Sequence, residues 1–459
     1  MKSKIFLFSG LFLSIATLLP QTSFAQFTAP PIINATPLPV GSGARAIGQG
    51  GAFISVADDA TAASWNPGAL IQLEKPELSF VGSFLSTQQD FTPGGVTPDG
   101  VVFNGFDKEF ASRGDLNFAS IAYPFRVFGK NLVAALNYHQ VYDFGMKQDF
   151  NNPTDIDIPP PIDFSLHMNN KIAFESKGGV AAFTPAIAVM VIPRLSLGVA
   201  VNVFRNAYNG DIAWKETTWE TGKGAFGNSD GLTPFTDTII IEQTFKDYKA
   251  FNVSVGLHWD VWEKEEKRLT FGAVFHSPYT AGVDRVTDLK FGFNGSLDTF
   301  PSETHHFKIN YPMSIGAGLG FRYNDALTLA MDMTWTDWSV FQQEDENGNK
   351  TRPLGGAPPD RHISDTYSVR TGGEYLIFRQ KVIIPVRGGL FYDPRVSLDK
   401  PTDVYGFSVG SGISTKRISI DGAYQFRWSP DAKGEDFGLP GIPVNLREHL
   451  FMASIIVYF

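Results

Sequence analysis

LSLGVAVNV, residues 195–203, alternates with a period of two: Leu195, Leu197, Val199, Val201 and Val203 fall on one face of an extended chain, and Ser196, Gly198, Ala200 and Asn202 on the other. The pattern recurs. Phe251, Val253, Val255, Leu257, Trp259 and Val261 oppose Asn252, Ser254, Gly256, His258 and Asp260, and Leu327, Leu329, Met331, Met333 and Trp335 oppose Thr328, Ala330, Asp332 and Thr334. Ile418, Ile420, Tyr424 and Phe426 likewise oppose Arg417, Ser419, Asp421 and Gln425. Strands of a soluble sandwich run to about 5–6 residues. A continuous apolar face over about 9–11 residues is what crossing a bilayer demands.

Outward from that stretch, the alternation predicts about fourteen strands, near 77–87, 114–126, 131–145, 178–192, 195–208, 247–262, 268–281, 306–323, 326–341, 365–377, 381–393, 403–415, 417–428 and 446–459. Their connections alternate in length. Phe128-Gly129, Pro193-Arg194, Glu263 to Glu266, Asn324-Asp325, Phe378-Arg379 and Thr415-Lys416 are short, and long loops are expected at about 88–113, 146–177, 209–246, 282–305, 342–364, 394–402 and 429–445. The fold class expected is all-β: a transmembrane antiparallel up-and-down β-barrel with short turns at one rim and long loops at the other. Aromatic pairs at strand ends, Trp259 with Trp262, Trp335 with Trp338, and Phe426 with Trp428, read as interfacial girdles. Phe451, Ala453, Ile455, Val457 and Phe459 share one face of a last strand that ends on an aromatic residue, the pattern of a signal to the barrel assembly machinery.

The amino-terminal part is different. Lys2 and Lys4 precede an apolar run from Ile5 to Leu19, and Ser23-Phe24-Ala25 offers small residues for cleavage, so residues 1–25 read as a signal peptide. A proline-studded lead with Pro30, Pro31, Pro37 and Pro39 follows, and then GSGARAIGQGGAFISVADDATAASWNPGAL, residues 41–70. This stretch is rich in glycine and alanine, carries Asp58-Asp59 before a short helix, and closes on the tight turn Asn66-Pro67-Gly68. Residues 26–74 are expected to form a plug, or hatch, in the lumen of a barrel made by 75–459, although a small leading lobe would share the composition.

Composition agrees with one large unit. Of 459 residues 45 are Gly and 40 are Phe, only 19% are charged, and none is Cys, which excludes disulfides and thiolate metal sites. A net charge of -9 without clustered Lys or Arg speaks against a nucleic-acid partner. No GxSxG or HExxH motif is present, Gly41-Ser42-Gly43 does not continue as a dinucleotide fingerprint, and His305-His306 would point to opposite faces of a strand. No enzyme activity, cofactor or metal is expected. The inward faces carry Gly, Ala, Ser and Thr with Phe204, Val274, Met452 and Ile456 among them, which suits either a greasy passage or packing against a plug.

Gly43-Ala44-Arg45-Ala46, Gly48, Gly51-Ala52, Ala57-Asp58-Asp59-Ala60 and Asn66-Pro67-Gly68 resemble the amino-terminal hatch of the FadL/TodX/OmpP1 hydrophobic-compound transporters. Tyr311-Pro312-Met313, residues 335–341 (WTDWSVF), 365–370 (DTYSVR) and 387–393 (RGGLFYD) look like that family's later strands, and only Gly68 departs from the Asn-Pro-Ala of the hatch signature. The resemblance implies a fourteen-stranded outer-membrane barrel closed by its hatch, with both termini periplasmic. It implies passive uptake of long-chain fatty acids or aromatic hydrocarbons, with release sideways into the membrane where the third strand kinks. Residues 144–150, FGMKQDF, are similar to the kink segment, so Phe144 and Gly145 mark either a lateral opening or merely the start of a loop. Trp214, Trp219, Phe226 and Phe235, with Lys215 or Lys246 for a carboxylate, would form a capture surface on the third long loop, or pack on one another. The partners implied are a hydrophobic small molecule and outer-membrane lipid or detergent. The alternative is a scaffold or shuttle barrel of a protein secretion system.

Overall fold

The structure, a computed structural model, describes residues 41–91, 109–207, 211–354, 357–433 and 443–459, so the expected signal peptide and proline-rich lead lie outside the described residues. In chain order the strands are β1 (Glu77–Phe91), β2 (Glu109–Val127), β3 (Lys130–Asp143), β4 (Met146–Ile158), β5 (Phe164–Ile192), β6 (Leu195–Asn206) and β7 (Ile212–Asn228). Then come β8 (Gly231–Lys264), β9 (Lys267–His276), β10 (Tyr279–Phe293), β11 (Ser296–Thr299), β12 (Glu303–Tyr311), β13 (Ser314–Arg322) and β14 (Leu327–Thr336). The last are β15 (Gln342–Asp345), β16 (Lys350–Thr351), β17 (Thr366–Phe378), β18 (Ile383–Tyr392), β19 (Tyr405–Ser414), β20 (Ile418–Lys433) and β21 (Pro443–Tyr458).

Fourteen of these form the closed antiparallel barrel that the alternation predicts. Closure is made by β1, which pairs β2 on one side, with Glu77 opposite Ala122, and β21 on the other, with Glu77 opposite Tyr458. The tight turns suit the twist of the strands they join: Phe128 and Gly129 both have positive φ, 49° and 73°, as a type I′ hairpin requires. Side chains sort by face as the period demands. Leu197, Val199 and Val201 are exposed on the outer wall, while Ser196, Gly198 and Ala200 are buried inside. Trp259, Trp262 and Trp428 lie exposed near the strand ends.

The long connections at 146–177, 209–246 and 282–305 are not loops. They are strands of a second antiparallel sheet, β4–β5–β7–β8–β10–β12, that continues the barrel wall beyond the short-strand region. The long strands β5 and β8 belong to both. Beyond a bilayer an outer face gains nothing from being apolar, so the alternation that marks the barrel strands is lost there. Their Thr content, as in Thr217, Thr218 and Thr221, is the remaining β signal.

Two expected strands are also broken. Residues 268–281 divide into β9 and β10 at Ser277-Pro278, and 306–323 into β12 and β13 at Pro312-Met313, because proline cannot donate to a ladder. The breaks coincide: the β9–β13 ladder ends at His276 opposite Ser314, and the β10–β12 ladder begins at Tyr279 opposite Tyr311. The expected strand 326–341 likewise stops at Thr336, before a short 3-10 turn at Trp338–Val340.

Candidate functional site

The amino-terminal segment contains two short helices, α1 (Ala44–Gly48) and α2 (Ala62–Trp65), and a 3-10 helix at Pro67–Gln72. Gly43 precedes α1 with φ 114°, a conformation L side chains rarely adopt, and a β-carbon there would press on the Thr61 side chain at 3.2 Å. Nearly every residue from Gly41 to Leu70 is buried, and the partners are inward-facing residues all round the ring of strands. The Pro67 backbone lies directly on Gly198 of β6, and the Asn66 side chain with Gly68 N lies on Gly256 of β8, so a β-carbon on either glycine would collide with the turn. Gln49 and Gly50 press in the same way on Gly372 of β17 and Gly389 of β18.

Polar contacts fix the segment in place. The Asn66 side chain donates to Ile54 O and to Leu257 O, both at 2.9 Å, and accepts from Gly68 N at 3.0 Å. One buried amide therefore shapes the turn that ends in Pro67 and Gly68 and ties it to β8. Asp332 of β14 accepts from the N–H groups of Phe53 and Ile54, and Ser454 of β21 from Ala44 N at 2.7 Å. Arg45 pairs with Asp58 and, at 2.8 Å, with Glu374 of β17, while the buried Asp59 accepts from Thr61 N at 2.8 Å.

Inward residues of β17 to β21 differ from the small and hydroxylated set expected. Glu374 also binds Arg387 at 2.6 Å, Arg387 binds Asp421 at 2.5 Å, and Asp393 binds Arg370 at 2.9 Å and Arg427 at 3.2 Å. Glu448 joins Arg395, at 2.5 Å, to Arg427. Buried charges are tolerated because each finds a partner. The charges are present in the sequence, but which of them meet is set by the register of neighbouring strands, as where Glu374 stands opposite Arg387.

At the level where the barrel meets the second sheet, the interior is apolar and aromatic. Trp214 stacks on Phe245 at 4.1 Å and lies 4.4 Å from Phe144; Tyr279 stacks on Tyr311 at 4.6 Å and on Phe204 at 4.8 Å. Tyr142, Tyr248, Phe307, Trp338 and Phe341 complete the centre of this cluster. Trp214 is therefore not part of an exposed capture surface: it is fully buried, as Phe235 nearly is. Trp338 likewise turns inward, donating to Thr366 Oγ1 at 2.8 Å, and is not a girdle residue. Phe226 and Phe235 meet at 5.7 Å farther out, Trp219 is partly exposed, Lys246 is half-buried, and Lys215 is engaged by Glu242 at 2.6 Å.

Of the expected lumen residues only Phe204 lies in this cluster. Met452 packs with Ala44 and Ile47 of the segment, Val274 borders Gly316 beside Ile54, and Ile456 is buried on β21. Tyr279 and Tyr311 sit beside the proline breaks, Tyr142 beside a bulge and Tyr248 beside the left-handed Asp247, where face cannot be counted along the chain. At the outer edge of the cluster Trp214 Nε1 donates to Glu216 at 3.0 Å, and burial pushes that carboxyl up to about 7. Arg285 lies over Phe307 at 4.6 Å, and desolvation lowers its guanidinium from the ordinary value.

One wall of the cluster adjoins an interruption in the barrel. Among the described residues the β2–β3 ladder stops at Phe118 opposite His139, although β2 continues along β1 to Glu109 and β3 continues along β5 to Asp143. A bulge between Gln140 and Tyr142 lies on the β5 side of β3. Gly145 follows the end of β3, and Phe144 turns into the cluster. The gap is spanned by Arg113, which pairs with Asp143 and donates to Gly145 O.

The model of the outer membrane protein transport family OMPP1/FadL/TodX matches residues 39–437. The chain belongs to this family. Its structure is similar to that of a FadL homologue of Pseudomonas aeruginosa, with 13% identity and a TM-score of 0.57 over 92% of this chain and 99% of the other. It is also similar to the toluene transporter TodX of Pseudomonas putida, with 12% identity and a TM-score of 0.56 over 91% and 98%. The monoaromatic hydrocarbon channel CymD aligns at 13% identity and a TM-score of 0.52 over 92% and 98%. No curated protein matches the sequence. Membership makes the chain a bacterial outer-membrane β-barrel of a transport family whose substrates are hydrophobic compounds.

Proposed function

We propose that the chain is a passive channel that takes up hydrophobic small molecules, long-chain fatty acids or aromatic hydrocarbons, and releases them sideways into the outer membrane. The observation that carries this reading is the position of the aromatic cluster. It lies between the long-connection end and the interrupted β2–β3 ladder, while the segment 41–73 obstructs the straight route beneath it. Cargo parts the aromatic side chains, meets the plug at Asn66-Pro67-Gly68, and leaves past Phe144 and Gly145. Downhill partitioning into lipid drives the movement, and no catalytic chemistry is required.

In this reading the second sheet faces outside the cell, both termini lie in the periplasm, and β21 with Phe459 is the strand read by the assembly machinery. Uptake of a labelled fatty acid and of labelled toluene, by outer membranes with and without the protein, tests it. Uptake no faster than in the deficient membranes defeats it. The second reading, a secretion scaffold, is favoured by the exposed Ile158, Ile162, Leu232, Leu297 and Phe300 on and beside the second sheet. Co-purification of a large secretion partner, with no uptake of either probe, would establish the scaffold instead.

A further inference from the structure

Four tyrosines reach the middle of the aromatic cluster from four strands: Tyr142 on β3, Tyr248 on β8, Tyr279 on β10 and Tyr311 on β12. The Tyr142 and Tyr279 hydroxyls share a hydrogen bond of 2.9 Å, and the Tyr142 and Tyr311 rings lie 5.6 Å apart. The Tyr248 hydroxyl lies near enough to those of Tyr311 and Tyr279 to interact with both, outside normal hydrogen-bond geometry. Tyr248 and Tyr311 are 1% and 3% exposed, yet neither hydroxyl has a hydrogen-bond partner of normal geometry.

Each phenol carries one donor and two acceptor positions, so the Tyr142–Tyr279 bond uses one donor of the four. Buried donors left unmade are costly. Phenylalanine at these positions would stack as well without that cost, and the neighbouring Phe144, Phe204, Phe245 and Phe341 do so. Charges meet the cluster at its edge, Glu216 through Trp214 and Arg285 over Phe307. A set of convergent O–H donors among aromatic rings, with the charges kept to the edge of the cluster, matches a neutral oxygen on an otherwise apolar body.

We propose that this quartet is a selectivity site for hydrophobic cargo bearing one neutral oxygen acceptor, a hydroxyl or a carbonyl. The proposal rests on reading the cluster as the cargo path. A pure hydrocarbon fills the same space and leaves the hydroxyls unmade, so it is the poorer ligand of a shape-matched pair.

The test is calorimetric titration of the full chain in lipid nanodiscs with p-cresol and with p-xylene at neutral pH, for the unaltered protein and for Tyr248→Phe, Tyr311→Phe and the double variant. Barrel integrity is checked by heat-modifiable mobility on a gel. In the double variant the p-cresol affinity falls about tenfold, as loss of a buried hydrogen bond implies, while that for p-xylene is unchanged. Equal loss for both probes, or no change for either, overturns the selectivity site and leaves the hydroxyls a packing or water-binding role. If the unaltered protein binds neither probe, the cargo-path reading itself fails, and that control separates the two failures.

Discussion

Arg113 on β2 and Asp143 on β3 form an ion pair across the stretch where the ladder between their strands has ended. Among the described residues, ladders of backbone hydrogen bonds join each barrel strand to its neighbours. Here two side chains and the carbonyl of Gly145 do so, and side chains move between rotamers far more readily than a ladder unzips.

If this latch guards the lateral exit, Arg113→Ala or Asp143→Asn speeds uptake without loosening the barrel. Locking the gap does the reverse. Continuing the β2–β3 register sets Asn117 opposite Gln140, and the chain has no native cysteine to interfere. A thiol crosslinker joining Asn117→Cys to Gln140→Cys should bring uptake down to the level of membranes without the protein, and cleavage of the linker should restore it. Uptake indifferent to the crosslink places the exit elsewhere.

Asn66→Ala removes two donors to buried carbonyls and the acceptor for Gly68 N, a loss of about 1–3 kcal/mol in the docking of the amino-terminal segment. No barrel ladder passes through this residue. Heat-modifiable mobility should therefore be unchanged while conductance or uptake changes. Gly256→Ala approaches the same contact from the wall, since its β-carbon would collide with the Asn66 side chain and the turn behind it. If both variants leave uptake as it was, the segment is filling and not a gate.

Trp214→Ala deletes the ring that joins Phe144 to Phe245 and should cost roughly 3–5 kcal/mol of local packing, most of it felt at the base of the second sheet. Uptake of either labelled probe is expected to fall. Trp219→Ala, with its partly exposed ring, should leave uptake near normal; the reverse order would return capture to the outer surface.

The second sheet should be firmer in mild acid than in mild alkali. Burial pushes Glu216 up to about 7 from an ordinary 4.5, and burial with the nearby Asp237 charge does the same for Glu220. A carboxyl raised in the folded state adds stability that is complete below its ordinary value and is lost as pH rises through about 7. Protection from hydrogen exchange along β7, after division by the intrinsic base-catalysed rate, should accordingly be greater at pH 5 than at pH 8. Glu216→Gln with Glu220→Gln should flatten the difference, and an unchanged pH dependence would assign it to other groups.

How far the sequence could be read depended on what each side chain faces. Leu197, Val199 and Val201 meet lipid, a uniform solvent, so their period alone placed them and the strand that carries them. Trp214 and Trp338 looked like surface aromatics because residue type does not say which face of a wet strand is covered. Pro278 and Pro312 stand inside stretches whose alternation predicts unbroken strands; that the two breaks lie opposite each other, and set Tyr279 against Tyr311, is a fact of register.

By itself, then, the chain determined the barrel, its strand count, its short turns and the distinct character of residues 41–70, because alternation and turn chemistry are properties of neighbours along the backbone. Only the tertiary structure decided the interior. Arg45 meets Glu374 across 329 positions and Asn66 meets Leu257 across 191, and such pairings depend on register around the whole ring, which no local stretch encodes. The second sheet, the aromatic cluster and the Arg113–Asp143 latch belong to that category for the same reason.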